Sequence, residues 1–303
     1  MKDAFFAVIN PAAGAGRCGR LAPAALDALR AAGIPIEAAA TRAPGEASRL
    51  SQDAFRKGYR KFLAVGGDGT AFEIVNGLFP EALSSSPEER PALGFLPLGT
   101  GNSFLRDFSE QGAEYARRAL LEGRRRDCDV IRLRHRDGEL YYLNLLSIGF
   151  AADVAALTNR RFKPLGELGY LLGVLVCLLR LNRRVFPLRV DGETELDRRR
   201  CLFLTFNNSQ FTGGKMRIAP QANSGDGWIE FVRWGPIGRL GLIANLHRLY
   251  DGSHVNHPLA SRRAVRRVEF DLSGPVDLMV DGEVLRAHCQ SLEVLPAALR
   301  VVA

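Results

Sequence analysis

Along the first part of the chain, short continuous apolar runs alternate with segments whose apolar positions recur every three or four residues. This pattern predicts alternating strands and helices. Ala4–Ile9 (AFFAVI) reads as a buried strand, a helix runs from about Arg20 to Ala32 and stops at Gly33, and IPIEAAA is a second strand. Glu46–Lys57 is a second helix, Lys61–Val65 a third strand, Ala71–Leu78 a third helix, ALGFLPL a fourth strand and Gln111–Leu121 a fourth helix. Strand-helix alternation with continuously apolar strands implies a parallel sheet covered on both faces. Such sheets bind ligands beyond the carboxyl ends of their strands. Three Gly-rich loops, Gly14–Gly19, Gly66–Gly69 and Gly99–Gly101, fall at those ends.

From about Cys128 the pattern changes to alternating apolar and polar positions broken by Asp-Gly turns, the usual hairpin signal. DVIRLRH and ELYYLNLLSI flank Asp137-Gly138, FPLRV and TELDRRRCLFLTF flank Asp191-Gly192, and VDLMV and VLRAHCQSLEVL flank Asp281-Gly282. One helical insert covers about Ala151–Arg180. The expected fold class is α/β. A Rossmann-like parallel-sheet domain over residues 1–126 is followed by a mostly β, sandwich-like domain over residues 127–303.

Composition sharpens this picture only in part. The chain has 303 residues, 47% of them hydrophobic, which supplies a core large enough for two domains. Lys and Arg number 41 against 33 Asp and Glu, a net charge of +8 that suits nucleic acid, an anionic membrane surface or phosphorylated substrates. The five cysteines are scattered without a C-x-x-C pair, which reads as a reduced, cytoplasmic protein with idle thiols. The N-terminal apolar run is too short for a signal peptide. Leu168–Leu179 is too short to span a bilayer and reads either as a core helix or as an element that touches lipid. His254 and His257 have a metal-like spacing but no third ligand nearby, and are assigned no role.

Each loop carries its own chemistry. GAGRCG (Gly14–Gly19) spells G-x-G-x-x-G between a strand and a helix, with Glu37 at the distance that would hold a ribose. Asn10-Pro11 interrupts the tight turn that a dinucleotide needs, however, and a lone fingerprint of this kind has a high false-positive rate. No G-x-x-x-x-G-K-[ST] is present, which excludes a P-loop enzyme. In VGGDGTAFE, Asp68 sits inside a turn suited to phosphate, an arrangement that makes sense when a divalent cation stands between carboxylate and phosphates. Thr70 adds a hydroxyl at the start of a helix whose N-terminus favours anions. Asp281 and Glu283, like Asp191 and Glu193, read by turn chemistry simply as hairpin residues.

VINPAAGAG, VGGDGTAFEIVNGL and LGFLPLGTGNSF, in this order and spacing, resemble the catalytic domain of the diacylglycerol kinase and sphingosine kinase family, as its bacterial members carry it. The resemblance covers nearly the whole chain. It implies an ATP-binding α/β domain and a β-rich lipid-binding domain, and leaves open whether the last dozen or so residues return to the first, as they do in some relatives. It places Asn10, Thr41, Gly66, Gly67, Asp68, Gly69, Thr70, Glu73, Thr100 and Asn102 around ATP. Two departures are Ala71-Phe72, where the family commonly has Ile-Asn, and Ser103, where it often has Asp.

In the second domain the resemblance implies a structural Mg²⁺ held by Asp226 and the carbonyls of Asn223 and Trp228, a turn that reads equally as a metal-free hairpin. SIGFAADV makes Asp153 a lipid head-group contact or a helix-start residue. Only the resemblance separates the two V-D-G-E turns. It makes Glu283 the general base, with Asp281 in support, their roles being exchangeable, and Asp68 the third catalytic carboxylate.

The expected protein is a cytoplasmic lipid kinase using ATP and Mg²⁺, docking reversibly on anionic membranes and acting on diacylglycerol or else on a sphingoid base or ceramide. A kinase of a soluble substrate, like the NAD kinases that share the GGDG loop, and a non-catalytic nucleotide- or lipid-binding protein are the rival readings. Nucleic acid is not an expected partner, since no recognition motif accompanies the basic clusters. A homodimer is left open.

Overall fold

The computed structural model describes residues 2–162, 166–213 and 215–303. The chain divides into two compact units, residues 1–130 with 295–303, and residues 131–294.

In the first unit, strands β1 (Lys2–Ile9), β2 (Ile36–Ala40), β3 (Tyr59–Gly66) and β4 (Ala92–Pro97) form a parallel sheet in the order β2-β1-β3-β4. Register runs from Phe5 opposite Ile36 and Lys61 on β1 to Lys61 opposite Ala92 on β3. The connecting helices are α1 (Arg17–Ala31), α2 (Glu46–Arg56), α3 (Asp68–Leu78) and α4 (Ala113–Glu122). Their apolar faces supply Cys18, Ala22, Leu26, Leu29, Ala119 and Leu120 to a core shared with Ala7, Leu63 and Leu96. Helix α3 begins at Asp68, three residues before the Ala71 expected from the apolar pattern. The polar D-G-T reads as loop, yet an acidic residue in the first turn suits the positive end of a helix. Gly77 lets α3 cross α2 closely, since a Cβ there would lie 2.1 Å from the Ser48 carbonyl oxygen.

The second unit takes up the second half of β5 (Arg126–His135), then β6 (Gly138–Tyr142), β7 (Leu145–Gly149), α5 (Phe150–Leu157), α6 (Gly166–Leu179), β8 (Arg184–Val185) and β9 (Leu188–Val190). It continues through β10 (Arg200–Cys201), β11 (Phe203–Asn207), β12 (Phe211–Thr212), β13 (Met216–Arg217), β14 (Ile229–Trp234), α7 (Arg239–Asn245) and α8 (Arg248–Asp251). β15 (Ala260–Val265), β16 (Arg267–Phe270), β17 (Val276–Val280), β18 (Glu283–Ala287) and β19 (Cys289–Val302) complete the chain, with the end of β19 belonging to the first unit. Six strands form an antiparallel sheet in the order β15-β14-β11-β7-β17-β18. One face of it packs Phe203, Val232 and Trp234 against Ile237, Leu242 and Leu249, with the rings of Phe203 and Trp234 5.7 Å apart. His254 is buried beside Trp234, its ring nitrogens bonded to the carbonyls of Arg248 and Ile218, which is a structural role.

Two of the three Asp-Gly hairpins form with continuous ladders. β5 pairs with β6 across Asp137-Gly138, and β17 with β18 across Asp281-Gly282. The Asp191-Gly192 turn also folds back, but its ladder is broken. Leu188 bridges Asp197 and, in the same register, Val185 stands opposite Arg200 and Arg184 opposite Cys201, while β9 also pairs with β16 and β11 enters the six-stranded sheet between β7 and β14. The five cysteines are unpaired thiols. Among the described residues no helix is long and apolar enough to cross a membrane.

Candidate functional site

In the first unit the three Gly-rich loops meet at the carboxyl ends of β1, β3 and β4. Asn10 leaves β1 with its N–H on the Val65 carbonyl at 2.9 Å, while its side chain accepts the Ala12 N–H at 3.2 Å. Thr41 closes β2 with its N–H on the Ile9 carbonyl at 2.8 Å. The second and third loops pack backbone on backbone. Gly99 N–H donates to Gly66 O at 2.8 Å and Asp68 N–H to Gly101 O at 3.0 Å. A Cβ on Gly67 would stand 2.8 Å from Gly101 O. The glycines are therefore required by the contact between the loops themselves, before any ligand is considered.

The Asp68 carboxylate crosses the same junction and accepts the Ser103 N–H at 2.8 Å. Burial pushes this carboxyl above the usual aspartate range, against the lowering effect of the Ser103 and Phe104 backbone groups. Thr70 Oγ1, in the first turn of α3, is buried without a hydrogen-bond partner. Thr100 is exposed between the glycines of the third loop, and Asn102 donates to the Gly99 carbonyl at 3.3 Å.

Two residues depart from the expected arrangement. Glu73 faces α2, accepting the N–H groups of Gly45 at 2.9 Å and Ala47 at 3.0 Å, and so caps the start of that helix. Arg17, not singled out in the sequence, reaches from the first loop to the third, its guanidinium on the carbonyls of Leu98 at 3.2 Å and Gly99 at 2.8 Å. A lone basic residue within a Gly-rich loop is the signal that could have found it. The cluster can receive a polyphosphate: a helix N-terminus, one arginine and one unpartnered buried hydroxyl.

In the second unit Asp281 and Glu283 flank Gly282 at the tip of the β17–β18 hairpin. Asp281 and Gly282 both have positive φ, 47° and 88°. Asp281 is 5% exposed, and its carboxylate accepts the N–H groups of Leu143, Asn144 and Leu145 at 3.0, 3.0 and 2.9 Å. Glu283 is exposed. Asp153, in α5, is paired with Arg184 at 2.5 Å, and burial raises its carboxyl in spite of that cation.

At the turn before β14, Asp226 accepts the Trp228 N–H at 3.0 Å and Asn223 accepts the Gly225 N–H at 3.2 Å. Arg266 lies over the Trp228 ring, 4.3 Å from its centre. Asp226 with the two carbonyls is an all-oxygen donor set of the kind Mg²⁺ takes together with water. Among the described residues, no three His, Cys, Asp or Glu side chains gather as a metal site.

Several basic residues of the second unit are ion-paired rather than gathered. Arg160 bonds Asp277, Arg199 and Arg233 share Asp197, Arg262 holds Glu230 and Arg263 holds Glu193. Although burial opposes it, Arg199 and Arg233 keep the Asp197 carboxyl well below the usual range.

Two family profiles match the chain. The diacylglycerol kinase catalytic domain covers residues 4–133, and the YegS C-terminal NAD kinase beta sandwich-like domain covers residues 144–303. A diacylglycerol kinase of Mycobacterium tuberculosis is 26% identical over 299 residues, 98% of this chain and 94% of that one. One from Staphylococcus aureus is 28% identical over 280 residues, 91% of this chain and 84% of that one. A solved structure from Bacillus anthracis superposes over 99% of this chain and 95% of its own, at 21% identity and a TM-score of 0.78. A diacylglycerol kinase structure from the same organism gives 0.70 at 18% identity, over 99% and 96%. Both agree in fold.

Proposed function

The chain belongs to the diacylglycerol kinase family with a YegS-type C-terminal domain and is a lipid kinase, and from this premise we propose that it transfers the γ-phosphate of ATP to a lipid primary hydroxyl, diacylglycerol first. The observation that carries the nucleotide half of the reading is the junction of the three Gly-rich loops. At that junction Arg17 supplies a cation, helix α3 begins, and the Thr70 hydroxyl awaits a partner. Asn10, Thr41, Thr100 and Asn102 border the same junction.

Phosphoryl transfer asks for positioning, charge neutralisation and a group to take the hydroxyl proton. The acceptor oxygen bonds to the γ-phosphorus, the bond to the bridging oxygen breaks, ADP leaves, and the proton passes to the Glu283 carboxylate. Glu283 suits this role by its exposure on the hairpin tip, whereas the Asp281 carboxylate, occupied by three N–H groups, positions the turn that carries Glu283. A carboxylate is a weak base at neutral pH, so alignment of the hydroxyl matters more than basicity. Asp68 holds the second and third loops together and would support a cation bound with the phosphates. Mg²⁺ with the nucleotide would neutralise the developing charge, and a second, structural ion suits Asp226 with the carbonyls of Asn223 and Trp228. Asp153, paired with Arg184, serves the head group through that pair.

The test is a transfer assay with γ-labelled ATP, Mg²⁺ and a total lipid extract in mixed micelles, followed by organic extraction. Label in the organic phase, absent with Asp68→Asn, supports the reading, and chromatography separates phosphatidate from sphingoid phosphates. Label confined to the aqueous phase overturns it.

A further inference from the structure

In the second unit, the end of α6 and the short helix α7 are apolar on two faces. On α7, Leu242 is buried and Leu246 follows it into the core cluster, while Leu240 and Ile243, one turn apart, are 83% and 51% exposed. On α6, Leu178 packs on the same cluster, while Leu175 and Leu179, one turn apart, are 51% and 63% exposed. The two helices are tied together. Arg239 donates to the carbonyls of Leu178 at 3.1 Å and Leu179 at 2.7 Å, so the second apolar faces share one patch of surface. Four large aliphatic side chains held in water on adjoining helix ends have no use in the core below them. Such a patch marks an interaction surface.

The charge around the patch selects the partner. From Leu168 to Arg184 and from Gly235 to Tyr250 the sequence contains no acidic residue. Arg180, Arg183 and Arg239 are exposed beside the leucines. An apolar face rimmed by arginines, on helices too short to cross a bilayer, matches the interfacial region of an anionic membrane, with aliphatic tips below the headgroups and guanidinium groups among them. We infer that the Leu175, Leu179, Leu240 and Ile243 face is the surface by which this unit inserts into anionic lipid. The inference rests on the lipid-kinase reading only in its purpose, since a diacyl substrate keeps its chains in the bilayer while its hydroxyl is phosphorylated.

The full chain is sedimented with vesicles of phosphatidylcholine alone or with added phosphatidylglycerol, without diacylglycerol or nucleotide. Wild type is expected to bind the anionic vesicles. The double variant Leu240→Asp/Ile243→Ser should bind them about tenfold or more weakly, at an unchanged circular dichroism spectrum and melting temperature. Leu121→Ser, an exposed leucine of the first unit, should bind as wild type. Arg180→Gln/Arg183→Gln should lower binding to the anionic vesicles alone. Wild-type binding by the double variant overturns the proposal. So does sedimentation equilibrium that finds a wild-type dimer and a monomeric double variant, which would make the face a contact between copies. Because the vesicles hold no substrate, a chain that binds through this face yet phosphorylates no lipid would count against the proposed activity alone.

Discussion

Asp281 and Leu145 bond to each other twice. The Asp281 N–H donates to the Leu145 carbonyl at 3.0 Å, and the Asp281 carboxylate accepts the Leu145 N–H at 2.9 Å. With the N–H groups of Leu143 and Asn144 on the same carboxylate, the β17–β18 turn is fastened to the entry of β7. Removing the carboxylate leaves three buried donors without an acceptor. Asp281→Ala should therefore lose about 3 kcal/mol or more of unfolding free energy in urea titration, with Asp281→Asn losing less. A stability within error of wild type would mean that the turn is held by other contacts.

Glu283, two residues on, makes the opposite forecast. Glu283→Gln should unfold at the wild-type temperature and lose nearly all turnover in the labelled-phosphate assay, because the side chain is exposed and its work is on the substrate proton. Full activity in the purified variant would remove Glu283 from the mechanism.

Gly99 tests the packing of the loops. A Cβ at this position would lie 2.8 Å from Gly67 Cα, a backbone atom with nowhere to go. Gly99→Ala should cost about 1–3 kcal/mol and weaken ATP binding in calorimetry. Gly274→Ala, where an added Cβ meets nothing within 4 Å, should stay within about 0.5 kcal/mol of wild type. Equal effects from both would disprove the loop contact.

Asp68 gives a pH signature. Burial raises its folded value above the ordinary 3.8, so the folded protein holds this proton to higher pH than the unfolded chain does. The stability from this group is fully present below 3.8 and is lost as pH climbs through the raised folded value. Asp68→Asn removes that loss. Measured by urea unfolding from acid to neutral pH, the stability difference should move in favour of the variant as pH rises, while turnover nearly disappears. A difference that does not change with pH would contradict the burial of the carboxyl.

Glu73 separates a cap from a nucleotide contact. Glu73→Ala should lower unfolding free energy by about 1–2 kcal/mol through the lost N–H acceptors at the start of α2, with the KM for ATP unchanged in the folded fraction. A large change in KM without loss of stability would return Glu73 to the ATP site.

The sequence made the first unit's strands legible because Phe5–Ile9, Lys61–Val65 and Ala92–Pro97 are short apolar runs, each closed by a loop that only glycines allow. It made the position of the loops legible, but not what Asp68 and Glu73 bond to, since neither Ser103 nor Gly45 is near them along the chain. The role of Arg17 is illegible for the same reason, its partners being 81 and 82 residues away. The two V-D-G-E turns show the limit most clearly. Asp191 and Asp281 have φ of 48° and 47°, and each accepts backbone N–H groups of a distant segment, Arg266 and Arg267 for the first and Leu143–Leu145 for the second. Locally they are the same turn. The first is exposed and the second buried, and β9, beside the first, takes β16 as a second neighbour. Those differences are tertiary and leave no trace in four residues.

The return of Leu295–Ala303 to the first unit bears on how the protein is made. Arg300–Val302 pair in parallel with Ala92–Gly94 of β4, and Val302 and Ala303 are buried. A ribosome elongating at roughly 5–20 residues per second completes residues 1–130 on the order of ten seconds or more before it reaches this segment. Throughout that interval one side of β4 lacks its partner, with Leu93 and Leu96 beside open backbone groups. The half of the chain synthesised first is thus the half finished last, and the nascent protein presents a strand edge for a chaperone to cover while residues 131–294 are still emerging.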